Sequence, residues 1–265
     1  MVKFKSKIQD LLQVCKLASL KGTNDISGKE YLSMQDMIMD IGGDLEVKSL
    51  SGLKELLVKI NYKVEVIEKG QIPINDISLF MKFLQRFVPT DDVTVSLVEN
   101  KVVIERLSPK KVARMITSSP ENIVAAQGTE ALTKFHKEEN IWVSDKYICN
   151  LRIDFEAEDM QSIIADGDLI KQRVYPFVIK DGKFSVPLVS KEFGEMETEV
   201  PTEDITLPDS TRTAYAAGLD NLFSALQGKV SLFMKAGGNH PLLLEHSAEK
   251  YHFVAMLAPR MEDEE

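Results

Sequence analysis

The chain has 265 residues, 44% of them hydrophobic and 28% charged, and a formal net charge of −9 at pH 7. This composition is typical of a globular protein with one large or two ordinary domains, and the acidic balance excludes a protein that coats nucleic acid over its whole surface. The sequence has neither a run of about 20 apolar residues, as a membrane span needs, nor the apolar segment of a secretory signal. We therefore expect an intracellular protein with no membrane partner.

The first half of the chain mixes helical and strand-like patterns. Apolar residues at helical spacing predict a helix over residues 6–19. The glycine- and methionine-rich segment 21–44 is predicted as an elaborated loop or a short helix. A second helix is predicted over 76–88, with Asn75 or Asp76 as its N-cap. Strands are predicted over residues 63–67, 93–98 and 101–105.

The second half repeats this order of elements. Helices are predicted over residues 158–166 and 216–227, and a closing strand over 242–245. Each half thus contains a helix, a set of strands, a second helix and closing strands. We interpret the chain as a duplicated domain of the α+β class.

A polar, turn-rich stretch separates the halves and predicts a surface connector. The predicted boundaries are 1–118 for the N-terminal domain, 119–140 for the connector and 141–265 for the C-terminal domain. Basic residues slightly outnumber acidic ones up to residue 118, whereas acidic residues predominate after it. Such a distribution suits a protein that touches DNA through one surface, and it is equally typical of ordinary solubility charge.

The carboxyl terminus is an apolar run that ends in a proline and a series of acids. Pro259 removes a donor from any strand ladder, and the carboxylates after it repel one another into solvent. We interpret this terminus as a docking edge.

Five segments in one order carry a resemblance: "ISLFMKFLQRFVPTDDVTVSL", "DGKFSVPLVS", "TAYAAGLDNLFSAL", "HPLLLEH" and "FVAMLAPRMEDEE". Together they resemble the proliferating cell nuclear antigen (PCNA) family, the ring-shaped DNA sliding clamps of archaea, eukaryotes and some viruses. The matching segments span most of the second half and part of the first, which suits a divergent viral or archaeal member.

The resemblance implies a subunit of two similar domains, each with two helices packed on antiparallel sheet, and a homotrimer that closes into a ring. Such a clamp is not an enzyme and takes no cofactor; it tethers DNA polymerase at the primer end. The implied partners are double-stranded DNA, bound without sequence preference, a clamp loader, and proteins with clamp-binding peptides. The implied location is at DNA in the cytoplasm, nucleoid or nucleus, or in the host cell of a virus.

The resemblance also implies that cations on the helices face the DNA, because a clamp must attract phosphates without reading bases. Helical spacing places Lys16, Lys82 and Arg86 on polar faces, which are otherwise ordinary solvated faces. The helices of the second half contain no Lys or Arg, so we expect an unevenly charged channel. The predicted apolar face of the first helix is Ile8, Leu11, Leu12, Cys15 and Ala18. The residues predicted to face DNA are Lys5, Lys16, Lys82, Arg86, Lys171 and Lys229.

Clamp partners carry a short peptide with one aliphatic and two aromatic anchors, which enters an apolar pocket beneath the connector. Met256 occupies a position at which many family members have an aromatic residue. A core methionine at the end of a strand is an equally good interpretation of this residue. The residues that the resemblance assigns to this pocket are Leu50, Ile123, Val124, Pro241, Met256, Ala258, Pro259, Arg260 and Met261.

The sequence leaves other functions open. The weakly basic second half also suits a monomeric processivity factor or one subunit of a heterotrimeric clamp. A metal-dependent nuclease is a remote alternative, which would use a group of acidic residues near the start of a predicted helix. The helix dipole alone also accounts for acidic residues at that position. Histidines and cysteines are scattered, so we predict no metal site. The acids that such a nuclease would use are Asp154, Glu156, Glu158 and Asp159.

Overall fold

The computed structural model describes residues 2–23, 30–32, 34–128, 134–139, 141–144, 148–172, 174–202, 210–215, 219–235 and 240–259. The chain divides into two compact units. The first unit is Met1–Glu130 with Ala248–Phe253, and the second is Ala131–Ser247 with Val254–Glu265. The chain therefore passes between the units within the predicted connector. The domain boundaries drawn from the sequence stay a prediction.

The first unit contains two larger antiparallel sheets, one with the strand order β11-β10-β9-β1-β7 and one with the order β8-β4-β5-β6, and the separate pair β2-β3. Its strands are β1 Val2–Lys7, β2 Lys21–Thr23, β3 Glu30–Leu32, β4 Met37–Ile41, β5 Leu45–Leu50, β6 Leu56–Tyr62, β7 Glu65–Glu68, β8 Gly70–Ile74, β9 Asp92–Val98, β10 Lys101–Arg106 and β11 Lys111–Ile116. Its helices are α1 Ile8–Ser19, α2 Ile77–Leu84 and the short α3 Val124–Gly128.

Both predicted helices of the first half are confirmed. Asp76 is the N-cap of α2, and its carboxylate accepts a hydrogen bond of 2.7 Å from the Leu79 backbone N–H. The face that α1 buries differs from the prediction: Leu12 is half-buried, whereas Val14 and Leu17 are fully buried. The buried residues of α1 are Ile8, Leu11, Val14, Cys15, Leu17, Ala18 and Ser19.

The described part of segment 21–44 is mostly strand. It contains the antiparallel pair β2 and β3 and strand β4. Strand β4 is central in its sheet, with β8 on one side and β5 on the other. Met37, Ile38 and Met39 are all buried, so apolar and polar residues do not alternate along this strand. A short continuous apolar run suits a strand or a helix equally, which is why the sequence pattern does not predict a strand here.

The second unit contains three antiparallel sheets, with the strand orders β18-β17-β16-β19, β15-β20-β21-β22 and β12-β13-β14. Its strands are β12 His136–Glu138, β13 Ile141–Val143, β14 Ile148–Cys149, β15 Leu151–Glu156, β16 Tyr175–Lys180, β17 Lys183–Ser190, β18 Gly194–Val200, β19 Ser210–Tyr215, β20 Lys229–Met234, β21 Leu242–Ser247 and β22 Tyr251–Leu257, whose last residues belong to this unit. Its helices are α4 Ala157–Leu169 and α5 Leu219–Ser224.

Aromatic residues fill the core of the second unit. The ring centroid of Phe155 lies 5.9 Å from that of Phe184 and 6.0 Å from that of Phe223 on α5. A β-carbon at Gly167 of α4 would lie 2.8 Å from a ring carbon of Tyr175, so this glycine permits the close approach of α4 to β16. The core therefore joins both helices to both larger sheets of the unit.

The predicted fold class is confirmed: the chain is α+β, and each unit has two principal helices on antiparallel sheet. Each unit also shows the order strand, helix, several strands, helix, three strands. Of the predicted helix 216–227, α5 covers Leu219–Ser224, and residues 216–218 lie outside the described part. Within the described residues, no helix is long and apolar enough to cross a membrane.

The N-cap of α2 gives a prediction about stability. Replacing Asp76 by Ala leaves the Leu79 N–H without its acceptor, and we expect the free energy of unfolding to fall by about 1 kcal/mol. Urea unfolding followed by circular dichroism measures this change. Glu55→Ala is the matched control, since Glu55 is an exposed acid with no cap role. Equal stabilities of the two variants would contradict the assignment.

Candidate nucleic-acid interface and docking residues

Three exposed cations lie on or just beyond α1 and α2, two helices that contact each other. Lys16 belongs to the last turn of α1, Lys82 to the last turn of α2, and Arg86 follows Gln85, the C-cap of α2. All three are exposed, and none makes an ion pair with a described residue. The C-terminal end of a helix dipole favours cations, so these positions suit Lys16 and Lys82 electrostatically. We call Lys16, Lys82 and Arg86 the cationic face.

The single acid of α1 is neutralised within the first unit. The Asp10 carboxylate lies 3.0 Å from the Lys250 ammonium. Burial and a hydrogen bond with Asp10 raise the pKa of the Tyr62 hydroxyl. Helix α2 contains no acid. The charge of the cationic face is therefore not cancelled by its own helices.

Lys5 does not join the cationic face. It lies in strand β1, and its ammonium is 2.6 Å from the carboxylate of Glu65 on the neighbouring strand β7. The preceding residue, Phe4, is fully buried. Because successive strand residues point to opposite faces, Lys5 lies on the sheet face away from the side that Phe4 packs into.

The helices of the second unit present a different surface. On α4 the exposed residues include Glu158, Ser162, Ala165 and Asp168, and no cation is present on α4 or α5. The predicted Lys171 follows the C-terminal end of α4, with its ammonium 4.7 Å from the Phe193 ring centroid.

Lys229 begins strand β20, opposite Glu156 at the start of α4. Lys171 and Lys229 thus flank the two ends of a helix that is about 20 Å long, at 1.5 Å per residue. They cannot form a single cationic patch with each other.

The predicted docking residues fall into two groups. In the first unit, Leu50 and Ile123 are buried, Val124 is half-buried, and α3 packs against β4 and β5. Two residues outside the predicted set hold this region: Asp36 accepts hydrogen bonds from the connector backbone, and Ile38 packs against Ile123.

In the second unit, Pro241, Met256 and Pro259 are half-buried and Ala258 is exposed. Met256 lies in strand β22 between the buried Ala255 and Leu257. The predicted Arg260 and Met261 lie outside the described residues.

Two of the four acids proposed for a nuclease have structural partners. The Asp154 carboxylate lies 2.9 Å from the Arg152 guanidinium, and the Glu158 carboxylate accepts the Gly228 N–H at 3.1 Å. In the described ranges, no three His, Cys, Asp or Glu side chains are grouped as metal ligands. Burial raises the pKa of the Cys15 thiol and brings that of Cys149 to about 11, so both stay protonated near neutral pH.

Known structures share this fold over the whole chain. A PCNA of A. fulgidus, solved with the C-terminal region of FEN-1 bound, superposes with a TM-score of 0.74 at 13% identity and covers 100% of both chains. The PCNA of Entamoeba histolytica superposes with a TM-score of 0.70 at 12% identity, over 98% of this chain and 99% of its own. No protein-family model and no curated protein matches the sequence. The chain therefore has the fold of a PCNA sliding clamp, at a sequence identity that relates it to these proteins by fold alone.

Proposed function

We propose that the chain is the subunit of a DNA sliding clamp, a non-enzymatic ring that encircles duplex DNA and tethers replication proteins. The observation that carries this proposal is the end-to-end match of the chain with PCNA subunits. A closed ring stays on DNA by topology, so it raises the effective concentration of a bound polymerase without gripping the duplex. Its place of action is at DNA inside the cell.

The cationic face supports the DNA-binding part of the proposal. Long, exposed cations attract phosphates and release their counterions without reading base edges. Such contacts exchange readily between neighbouring phosphates, as sliding requires. Because α4 and α5 lack cations, DNA attraction is assigned to the first unit of each subunit, and Lys171 and Lys229 have at most an accessory role.

Two edge strands, one in each unit, support self-association. In the described part of the chain, β11 has a strand neighbour on one side only, and so does β18. Arg114 and Ile116 are exposed on β11, with Met115 buried between them. On β18, Glu195, Glu197 and Glu199 are exposed in alternation.

One edge is therefore basic and apolar, and the other is acidic. Charges on edge strands discourage indiscriminate pairing, and complementary charges favour one partner and one orientation. Because a single chain carries both edges, copies of it can join head to tail, and a suitable rotation closes them into a ring. This favours self-assembly over a monomeric factor or a subunit that needs a different partner, and the number of three subunits follows from the resemblance to PCNA.

The docking residues suit clamp-binding peptides of a DNA polymerase, a clamp loader and other replication proteins. Apolar anchors of such a peptide would supply most of the affinity, and a strand edge near Pro259 would add backbone hydrogen bonds. The A. fulgidus structure holds the C-terminal region of FEN-1, which supports the docking of partner proteins on this fold. The docking role is assigned to Leu50, Ile123 and Val124 in the first unit and to Pro241, Met256, Ala258 and Pro259 in the second, followed in the sequence by Arg260 and Met261.

The DNA assignment is tested by replacing Lys16, Lys82 and Arg86 together by Ala. We expect weaker binding to duplex DNA, and a salt dependence of log K whose slope falls by about 0.9 for each phosphate that the variant no longer neutralises. Fluorescence anisotropy at several salt concentrations measures both. Lys59→Ala and Lys183→Ala are the controls, since each removes a cation that is paired with a glutamate and is not among the predicted DNA-facing residues. A triple variant that binds DNA as these controls do would refute the assignment.

The edge assignment is tested by reversing charge. Glu195→Lys with Glu197→Lys leaves the Lys183–Glu199 ion pair intact, at 2.8 Å, and places cations opposite a basic edge. We expect sedimentation velocity to show trimer dissociation at concentrations where the unaltered chain is assembled, because like charges at an interface oppose association. Adding Arg114→Glu should restore part of the assembly. Glu55→Lys is the control, and no effect of the reversal would count against this interface.

A further inference from the structure

The first part of the connector is a folded segment of the first unit. A turn of 3-10 helix, Pro120–Asn122, is closed by hydrogen bonds around Ser119: its hydroxyl donates to Glu121 at 2.6 Å and lies 3.3 Å from the Asn122 amide. Helix α3 follows at once. Segments that connect two domains are ordinarily mobile, so specific contacts are needed to hold this part of the connector in place.

Asp36 ties the connector to the sheet. Its two carboxylate oxygens accept the backbone N–H groups of Val124, at 2.9 Å, and Ala125, at 3.1 Å. Asp36 lies 88 residues before Val124 in the chain and directly before strand β4. Hydrogen bonds to an ionised acceptor are the stronger kind, and a carboxylate at the start of a helix also meets a favourable dipole.

Apolar packing completes the tie. Ile123 and Ala125 are fully buried against Ile38, which is 5% exposed and lies on β4 beyond Asp36. Val124 and Ala126 remain half-buried, so part of their apolar surface still faces outward. The connector is therefore fastened by its buried residues while the alternate residues keep surface available.

We propose that Asp36 is a positioning residue. It holds residues 123–126 against β4 before a partner arrives, so that this side of the docking site is already formed when a peptide binds. This inference rests on the proposed docking function. Binding to a mobile connector would require ordering it first, and the apparent affinity falls in proportion to the fraction of molecules that is binding-competent. Asp36 raises that fraction without touching the peptide.

Two substitutions test the hydrogen bonds between Asp36 and the connector separately from the overall stability of the protein. Asp36→Asn keeps the size of the side chain but replaces one acceptor oxygen with an N–H₂ group that faces a donor. Val124→Pro removes the donor instead, and Val124→Ala, which keeps the N–H, separates this effect from the loss of the valine side chain, one of the assigned docking residues. Proline suits the first residue of a helix, and Ile123 already has the extended backbone that precedes proline, with φ −101° and ψ 128°.

Asp40→Asn is the matched control. Asp40 lies on the same strand β4, and its carboxylate pairs with Lys48 at 3.0 Å rather than with the backbone of residues 124 and 125. The probe is a synthetic peptide with one aliphatic and two aromatic anchors, and its affinity for the full chain is measured by calorimetry. Hydrogen exchange at the amides of residues 124 and 125 reports the tie itself.

We expect Asp36→Asn and Val124→Pro each to weaken peptide binding by about tenfold, and the two together to weaken it little further, because both break one tie. Exchange at residue 125 should accelerate in both variants and stay slow in Asp40→Asn. Unchanged or tighter peptide binding by both variants overturns the inference. Failure of the unaltered chain to bind the peptide overturns the docking function and the inference with it.

Discussion

The burial of one side of α1 and α2 against the sheets of the first unit determines which side chains of these helices are left exposed. Ile8, Leu11, Leu17 and Phe80 are fully buried, and the rotation that buries them leaves Lys16, Lys82 and Arg86 outside. Burying such a side chain is worth about 1.5–3 kcal/mol. An exposed cation contributes little to folding, so packing sets the orientation and the cations are free to serve binding.

The same architecture carries different chemistry in the second unit. Helix α4 buries Met160, Ile163 and Ile164 as α1 buries its own apolar residues, but its exposed side is acidic or neutral. If three subunits close around DNA, the ring contains six helix pairs, and the attraction to DNA comes from the three pairs that belong to the first units. A duplex would then be held near the first units and repelled from the second, which limits tight contact and leaves the ring able to slide.

Periodicity predicts the helices well and the apolar face of α1 less well. An ideal helix, with a rotation of 100° per residue, places Leu12 on the buried face. In the structure Val14 and Leu17 are buried instead, against the neighbouring elements. Resemblance assigns Lys5 to DNA, whereas strand alternation and Glu65 place it elsewhere. The contact of Asp36 with residues 124 and 125 spans 88 residues or more, and no local pattern encodes such a pair. The complementary edges become visible only when the sheet order shows which strands are outermost.

The central claim is that copies of one chain close into a ring, and native mass spectrometry tests it most directly. We predict a species of three chains, each of 29.8 kDa, at micromolar concentration and moderate salt. A particle that stays at the mass of one chain as its concentration is raised would contradict the claim, because the basic edge at β11 and the acidic edge at β18 would then have no partner in this protein.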